Sequence, residues 1–127
     1  MAYTTVFVVA DDHAVRDSVS ELVESGDFQA ETFPCLRAFL DAPQSGRRGC
    51  LVLDAEIDDL SDPKRRERFA AACARMPAVL ITDHGDVTTA VRAMRAGAAT
   101  VVQKPVSDSK LLKSIQEAIV AGAAAHR

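Results

Sequence analysis

The 127-residue sequence lacks several features that mark common classes of protein. It has no basic excess, since 15 lysines and arginines face 18 aspartates and glutamates. The formal net charge of -3 gives no overall attraction to phosphate backbones, so we expect no direct binding of nucleic acid. No apolar run approaches the roughly 18 residues that a membrane-spanning helix requires, so we expect no membrane partner. No basic region precedes the first apolar run, residues 6–10, which argues against a secretory signal and predicts a cytoplasmic protein.

The three cysteines are too few and too scattered for a metal centre or a disulfide framework. Cys35, Cys50 and Cys73 form no CxxC pair and have no histidine at metal-ligand spacing. Each is flanked by apolar or small residues, so we interpret all three as buried thiols rather than redox groups.

Short apolar or β-branched runs alternate five times with helical patterns along the chain. The predicted strands are residues 4–9, 28–33, 50–53, 78–82 and 99–103. The first predicted helix covers residues 12–25, and Pro63 begins the third. The fourth predicted helix has an apolar inner side with an outer side that carries Arg92 and Arg95, and the inner side consists of Val87, Ala90, Val91 and Met94. This alternation predicts an α/β fold with a parallel sheet and right-handed crossovers, and the length allows one domain, residues 1–127.

Polar and charged residues stand where the predicted strands end, at the edge where open parallel sheets bind ligands. They are Asp11 and Asp12 after the first strand, Asp54 at the third, Thr82 at the fourth, and Lys104 with Pro105 at the fifth. Because these strand ends share one edge of the sheet, we expect the side chains to converge. Carboxylates in this number suit Mg²⁺, which also accepts a phosphoryl oxygen readily.

Asp54 is the candidate nucleophile of this site. It follows the apolar run 50–53, so a buried strand would hold its carboxylate at the centre of the edge. An aspartate can form an acyl phosphate when a metal neutralises the developing charge, and Thr82 and Lys104 can donate to the phosphoryl oxygens. The alternative is an ordinary strand-end carboxylate that caps a neighbouring turn.

The order and spacing of six segments resemble the receiver domain of two-component response regulators, the FixJ-type branch in particular, over essentially the whole chain. The segments are residues 8–12, 14–18, 49–54, 81–87, 90–98 and 104–106, which read VVADD, AVRDS, GCLVLD, ITDHGDV, AVRAMRAGA and KPV. The resemblance implies a flavodoxin-like (CheY-like) α/β fold, which is a doubly wound sheet of five parallel strands in the order 2-1-3-4-5 with five helices.

The same resemblance implies a signalling function. A sensor histidine kinase is the implied partner that phosphorylates Asp54, and phosphorylation then changes protein contacts in a pathway linked to transcription. The implied cofactor is Mg²⁺, and a homodimer through the fourth and fifth helices is a further expectation. We expect no enzyme activity beyond the chain's own phosphorylation and dephosphorylation, and no effector domain within this chain.

The resemblance also assigns roles to individual residues. The phosphoacceptor is Asp54, and the residues that contact the phosphoryl group are Thr82 and Lys104. The implied metal ligands are Asp11, Asp54 and the backbone of Glu56, with Asp12 as an additional candidate. The implied switch positions are Thr82 and Val101. The peptide bond between Lys104 and Pro105 is expected to be cis, which X-Pro bonds tolerate at low cost.

The sequence departs from the family pattern around the site. Ala10 stands where the family has a first acidic residue, so we expect weaker Mg²⁺ binding, with Asp12 contributing through water. Val101 stands where an aromatic ring is common, and residues 57–62 replace a Met-Pro loop and add negative charge. These departures keep a second hypothesis open, a degenerate pseudo-receiver that acts as a phosphorylation-independent protein-interaction module. A third hypothesis, from the enzyme class, is a small Mg²⁺-dependent phosphatase with Asp54 as nucleophile.

A basic run at residues 64–68 lies early in the third predicted helix. Positive charge there opposes the helix macrodipole at a cost of roughly 0.3 to 1 kcal/mol for each exposed group. A solvated face and a partner-binding surface are both consistent with this run.

Overall fold

A computed structural model of the chain describes residues 4–43 and 49–125. The ends of the predicted domain, residues 1 and 127, lie outside these ranges. The strands are β1 (Thr5–Val9), β2 (Gln29–Phe33), β3 (Gly49–Asp54), β4 (Ala78–Thr82) and β5 (Thr100–Gln103). The helices are α1 (His13–Ser25), α2 (Leu36–Asp41), α3 (Pro63–Cys73), α4 (Val87–Ala96) and α5 (Asp108–Ala125), with a short 3-10 helix (Ile57–Leu60) before α3. Each strand lies within one residue of its predicted bounds, whereas the sequence pattern does not predict the 3-10 helix.

The five strands form one parallel sheet in the order β2-β1-β3-β4-β5, which confirms the predicted fold. The central strands are apolar runs because helices cover both of their faces. Residues 6–9, 50–53 and 78–82 are all buried. Polar residues appear in the two outer strands, where Gln29 and Gln103 are exposed. Burial on both faces therefore explains why the strand positions can be predicted from the sequence.

Two apolar cores lie on opposite faces of the sheet. The first packs α2, α3 and α4 against the sheet, and Phe39 and Phe69 are fully buried in it. The ring centroids of Phe39 and Phe7 are 5.6 Å apart. The second core packs α1 and α5 through residues such as Val23 and Ile115. In the described part of the chain, every helix is too short or too polar to cross a membrane.

The prediction that the most apolar side of α4 faces inward is wrong. Three of its four residues are exposed, Val87 at 81%, Met94 at 54% and Val91 at 42%. The buried residues of the helix are Thr89, Ala93 and Ala96. Small residues let α4 lie close to α3, since a Cβ atom added to Gly97 would come within 3.0 Å of the Cys73 Cβ atom. Periodicity finds the most apolar side of a helix, but it cannot tell whether that side faces the sheet.

The three cysteines differ in exposure. Cys50 is buried in β3, as predicted, and burial raises the pKa of its thiol to about 12. Cys73 is half-buried at the end of α3, where burial likewise raises the pKa of the thiol to about 12. Cys35 is exposed, so the prediction of three buried thiols is wrong at this position. It stands at the N-cap of α2, outside the packed elements, which its apolar neighbours in sequence do not reveal.

Candidate functional site

Asp54 ends the central strand of the sheet and lies beside Lys104. Strand β3 pairs with β1 on one side and β4 on the other, so hydrogen bonds fix its end from both sides. The Asp54 Oδ1 atom is 2.8 Å from the Lys104 Nζ atom, and the two side chains are 14% and 35% exposed. The hydrogen bond that Lys104 donates to Asp54 raises the pKa of Lys104 above its ordinary value. The ammonium group therefore stays charged beside a mostly buried carboxylate.

The connection after β5 brings Lys104 to this position. The Lys104 backbone N–H group donates to the Thr82 carbonyl oxygen at 2.9 Å, which ties the end of β5 to the end of β4. The next peptide bond, Lys104–Pro105, is cis. The aspartate, threonine and lysine that the sequence pattern singles out thus lie at one edge of the sheet.

Asp11 lines the same cavity as Asp54. This cavity has a volume of about 340 Å³ and lies between the ends of β1 and β3 and the start of α2. Asp11 is exposed. Ala10 also lines the cavity but has no carboxylate, and its carbonyl oxygen accepts a 2.6 Å hydrogen bond from Nη1 of Arg16. Asp11 is therefore the acidic residue that the end of β1 contributes to this wall.

Asp12 has a structural role at the start of α1. Its Oδ1 atom accepts hydrogen bonds from the backbone N–H groups of Ala14 at 2.8 Å and Val15 at 3.4 Å. Such an N-cap typically stabilises a helix by about 0.5 to 2 kcal/mol. The cap accounts for Asp12 without a metal, and its part in Mg²⁺ binding stays a prediction.

The hydroxyl group of Thr82 is bound to Glu56. Thr82 ends β4 and is fully buried, and its Oγ1 atom donates to Oε2 of Glu56 at 2.9 Å. The same oxygen accepts from the backbone N–H group of His84 at 3.2 Å. Because a hydroxyl group has one hydrogen atom to donate, Thr82 cannot serve Glu56 and a group on Asp54 at the same time.

The carboxylate of Glu56 accepts further hydrogen bonds from the segment after β4. The backbone N–H group of Asp83 donates to Oε1 at 3.1 Å, and Nδ1 of His84 lies 3.0 Å from Oε2. The His84 bond, followed by the Asp83 bond, lowers the pKa of Glu56 to about 2. In return, Glu56 raises the pKa of His84 above its ordinary value. Glu56 therefore stays ionised well into the acid range.

Sequence reasoning assigns Glu56 a backbone role and misses this side-chain network. The bonds connect positions 26 to 28 residues apart, so no local spacing rule reveals them. They form because the parallel pairing of β3 with β4 puts Asp54 opposite Ile81, one residue before Thr82. The sequence signal for this network is an acidic residue two positions after the end of β3 and a histidine two positions after the end of the neighbouring strand, β4.

Val101, the second predicted switch residue, lies in β5 opposite Leu80. Its side chain is partly buried and packs against the core that also holds α2, α3 and α4. The position therefore contributes aliphatic packing, and its part in switching stays a prediction.

Comparison with known proteins decides the family. Residues 6–116 match the sequence model of the response regulator receiver domain. The chain belongs to this receiver family. Curated relatives of the receiver include the transcriptional regulatory protein FixJ of Bradyrhizobium diazoefficiens, 37% identical over 114 residues, and TdiR of Thauera aromatica, 32% identical over 116 residues. The alignments cover 90% and 91% of the receiver but 56% and 51% of the relatives, so the receiver spans about half of their length.

Solved structures give the same assignment. The crystal structure of FixJ-N matches the receiver with a TM-score of 0.78 and 32% identity. The match covers 94% of the receiver and 96% of the FixJ-N chain. The response regulator StyR matches with a TM-score of 0.81 and 38% identity over 98% of the receiver and 63% of that chain. The receiver is thus of the FixJ type.

The donor atoms at the sheet edge of the receiver fit Mg²⁺. Within residues 4–43 and 49–125, no three His, Cys, Asp or Glu side chains converge as a metal-binding group. Mg²⁺ does not need such a group, because it binds one or two carboxylates and keeps several waters. Asp11 and Asp54 supply two carboxylates to one cavity. The Glu56 carbonyl oxygen accepts from the Asp59 N–H group at 3.0 Å and retains a second lone pair.

Proposed function

We propose that this receiver accepts a phosphoryl group on Asp54 from a sensor histidine kinase, with Mg²⁺ as cofactor, and then changes its protein contacts as one domain. The observation that carries the proposal is the 2.8 Å pairing of Asp54 with Lys104 at the carboxyl edge of the sheet. The names of the relatives FixJ and TdiR, both transcriptional regulatory proteins, support a pathway linked to transcription.

The Asp54 carboxylate is the nucleophile of the proposed transfer. One of its oxygen atoms attacks the phosphorus atom of a phosphohistidine, so that a P–O bond forms and the P–N bond breaks. The leaving imidazole nitrogen keeps the electron pair of the broken P–N bond and takes a proton from water. Lys104, which already contacts Oδ1, donates to the phosphoryl oxygens. Mg²⁺, when held by Asp11, Asp54 and the Glu56 carbonyl, supplies positive charge to the same oxygens.

In this proposal, the Thr82 hydroxyl group changes its hydrogen-bond partner when Asp54 is phosphorylated. Its hydroxyl group donates to Glu56 at 2.9 Å, so it must leave that carboxylate before it can donate to a phosphoryl oxygen. The exchange alters the contacts of the segments that follow β3 and β4. A chemical change at one carboxylate thereby becomes a change in the surface of the receiver.

We also propose a homodimer through α4 and α5. The exposed large apolar side chains among the described residues are Val87, Val91 and Met94 of α4 and Val120 of α5. Both helices pack beside β5. Contact between copies would remove this apolar surface from water, which favours association. Light scattering should detect a dimer after phosphorylation, and a monomer in both states would contradict this part of the proposal.

Intact mass spectrometry after incubation with Mg²⁺ and acetyl phosphate tests the phosphorylation itself. We expect one added phosphoryl group on the parent protein and none on Asp54→Asn. Asp27→Asn is a matched control, because Asp27 is an exposed carboxylate before β2, at the opposite end of the strands. This control should gain the group as the parent does. A folded parent that gains none at high Mg²⁺ would contradict the proposal and favour the phosphorylation-independent module.

A further inference from the structure

A second cavity lies between α3, α4 and the 3-10 helix. It has a volume of about 300 Å³. Among the described residues, none lines both this cavity and the one that contains Asp54. Its floor is apolar, since Ile57, Leu60 and Ala96 are 8%, 2% and 7% exposed. The rim, in contrast, is strongly basic, and we call this the arginine cavity.

Three arginines line the arginine cavity, Arg66 of α3 and Arg92 and Arg95 of α4. Asp58 is the acidic partner of Arg92, with Oδ1 at 3.4 Å from Nη2 and side chains 85% and 50% exposed. Such exposed pairs contribute little to stability. In the described part of the chain, no ion pair or hydrogen bond involves the side chain of Arg66 or Arg95. Three positive charges therefore face one negative charge around an apolar floor.

The first turn of α3 adds to this imbalance. Residues 64–66 are Lys-Arg-Arg, and the turn contains no acidic residue, so its charges oppose the helix macrodipole. Two other arginines of this basic run have partners. Arg65 donates to a backbone carbonyl oxygen at 3.1 Å, and Arg68 lies 2.7 Å from the carboxylate of Asp41. Arg66 lines the arginine cavity instead, where an anion would offset the unfavourable placement.

We propose that the arginine cavity binds a small organic phosphate. The planar guanidinium groups of Arg66, Arg92 and Arg95 match phosphate oxygens in bidentate geometry, while the organic part of the ligand covers the apolar floor. The volume lies at the low end of small-molecule sites, about 300 to 1,000 Å³, and accommodates a small molecule rather than a peptide segment. An inorganic anion would satisfy the arginines but leave the floor exposed to water.

Calorimetric titration with ADP, inorganic pyrophosphate and adenosine tests the proposal. ADP carries both phosphate groups and an organic part, whereas each of the other two probes carries one of these features. A chelating buffer excludes Mg²⁺-dependent binding at Asp54, and low salt limits screening of the exposed arginines. We expect saturable binding of ADP at one site and weaker binding of pyrophosphate and adenosine.

Variants locate the binding. Arg66→Ala and Arg95→Ala should each weaken ADP binding about tenfold, because each removes a charge-assisted hydrogen bond. Arg75→Ala is the matched control, since Arg75 is an exposed arginine just after α3 that does not line the cavity. This control loses the same charge and should bind ADP as the parent does. All three side chains are exposed, and circular dichroism checks that the variants fold.

Four results would overturn the proposal. The first is no saturable ADP binding at millimolar concentration. The second is an equal loss in Arg75→Ala, which would mean attraction to overall charge. The third is pyrophosphate binding as tight as that of ADP, which would remove the role of the apolar floor. The fourth is tighter binding of a hexaglutamate peptide with the same arginine dependence, which would indicate an acidic protein partner.

Discussion

Replacement of Glu56 by alanine should make a phosphoryl group on Asp54 easier to accommodate. The Thr82 hydroxyl group donates to Glu56 at 2.9 Å, so a phosphoryl oxygen must compete with that carboxylate for one hydrogen atom. Glu56→Ala removes the competitor. The free hydroxyl group can then donate to the phosphoryl oxygen without first breaking a bond.

The size of the effect follows from the bond that is removed. A hydrogen bond to a charged group contributes about 1.5 to 3 kcal/mol. The Glu56 side chain is 40% exposed, so water screens the bond and the lower value applies. A difference of about 1.4 kcal/mol is a factor of ten in an equilibrium constant, so we expect a gain of about tenfold.

Glu56→Gln separates the hydrogen bond from the charge. Both substitutions remove a negative charge near the phosphoryl group, which by itself favours phosphorylation. The glutamine amide keeps an oxygen atom that can accept from Thr82, whereas alanine has none. The gain from Glu56→Ala should therefore exceed the gain from Glu56→Gln.

Beryllofluoride, which mimics a phosphoryl group on a carboxylate, gives an equilibrium measurement of this effect. In the presence of Mg²⁺, its apparent affinity should rise about tenfold in Glu56→Ala and less in Glu56→Gln. In a Thr82→Ala background the difference between the two substitutions should vanish, because no hydroxyl group remains to be released. Equal affinities with Thr82 in place, or a difference that persists without Thr82, would refute the reasoning.

Two further predictions concern stability. His84 bonds the charged form of Glu56 and lowers its pKa from 4.5 to about 2, so Glu56 stabilises the fold above pH 4.5 and less as the pH falls toward 2. In metal-free buffer, urea unfolding of Glu56→Gln should vary less over this range than that of the parent; equal variation would argue against the bond. Phe39→Ala should lower the free energy of unfolding by about 3 to 5 kcal/mol, because the ring is fully buried against Phe7. The exposed control Val120→Ala should stay within about 0.5 kcal/mol, and a loss below about 1 kcal/mol in Phe39→Ala would contradict the packing argument.

The strands could be predicted because burial on both faces leaves a continuous apolar run in the sequence. Residues 50–53 and 78–82 are such runs, and their ends give the positions of Asp54 and Thr82 directly. The order of the strands could not be predicted in this way, because an alternation of strands and helices is compatible with several strand orders in a parallel sheet. The order came from the resemblance to receivers, and the structure confirms it.

The faces of α4 and the partner of Glu56 could not be predicted for a shared reason. Both depend on which distant residues approach, and a local pattern carries no such information. The buried face of α4 is made of small residues because the helix lies close to α3, so the larger Val91 and Met94 face out. Glu56 meets Thr82 and His84 because two strands pair in one register.

The acidic residues after Asp54 illustrate how the structure changes the meaning of a sequence pattern. The pattern predicts a loop that adds negative charge beside the phosphoacceptor, but most of those carboxylates have hydrogen-bond or ion-pair partners. Carboxylates with partners include Glu56 with Thr82 and His84, Asp58 with Arg92, Asp59 with the Glu56 N–H group, and Asp62 with the Arg65 N–H group. Asp54 itself contacts Lys104. Among the described carboxylates that line the Asp54 cavity, Asp11 alone has no such bond, so it can take a metal there without giving up another contact.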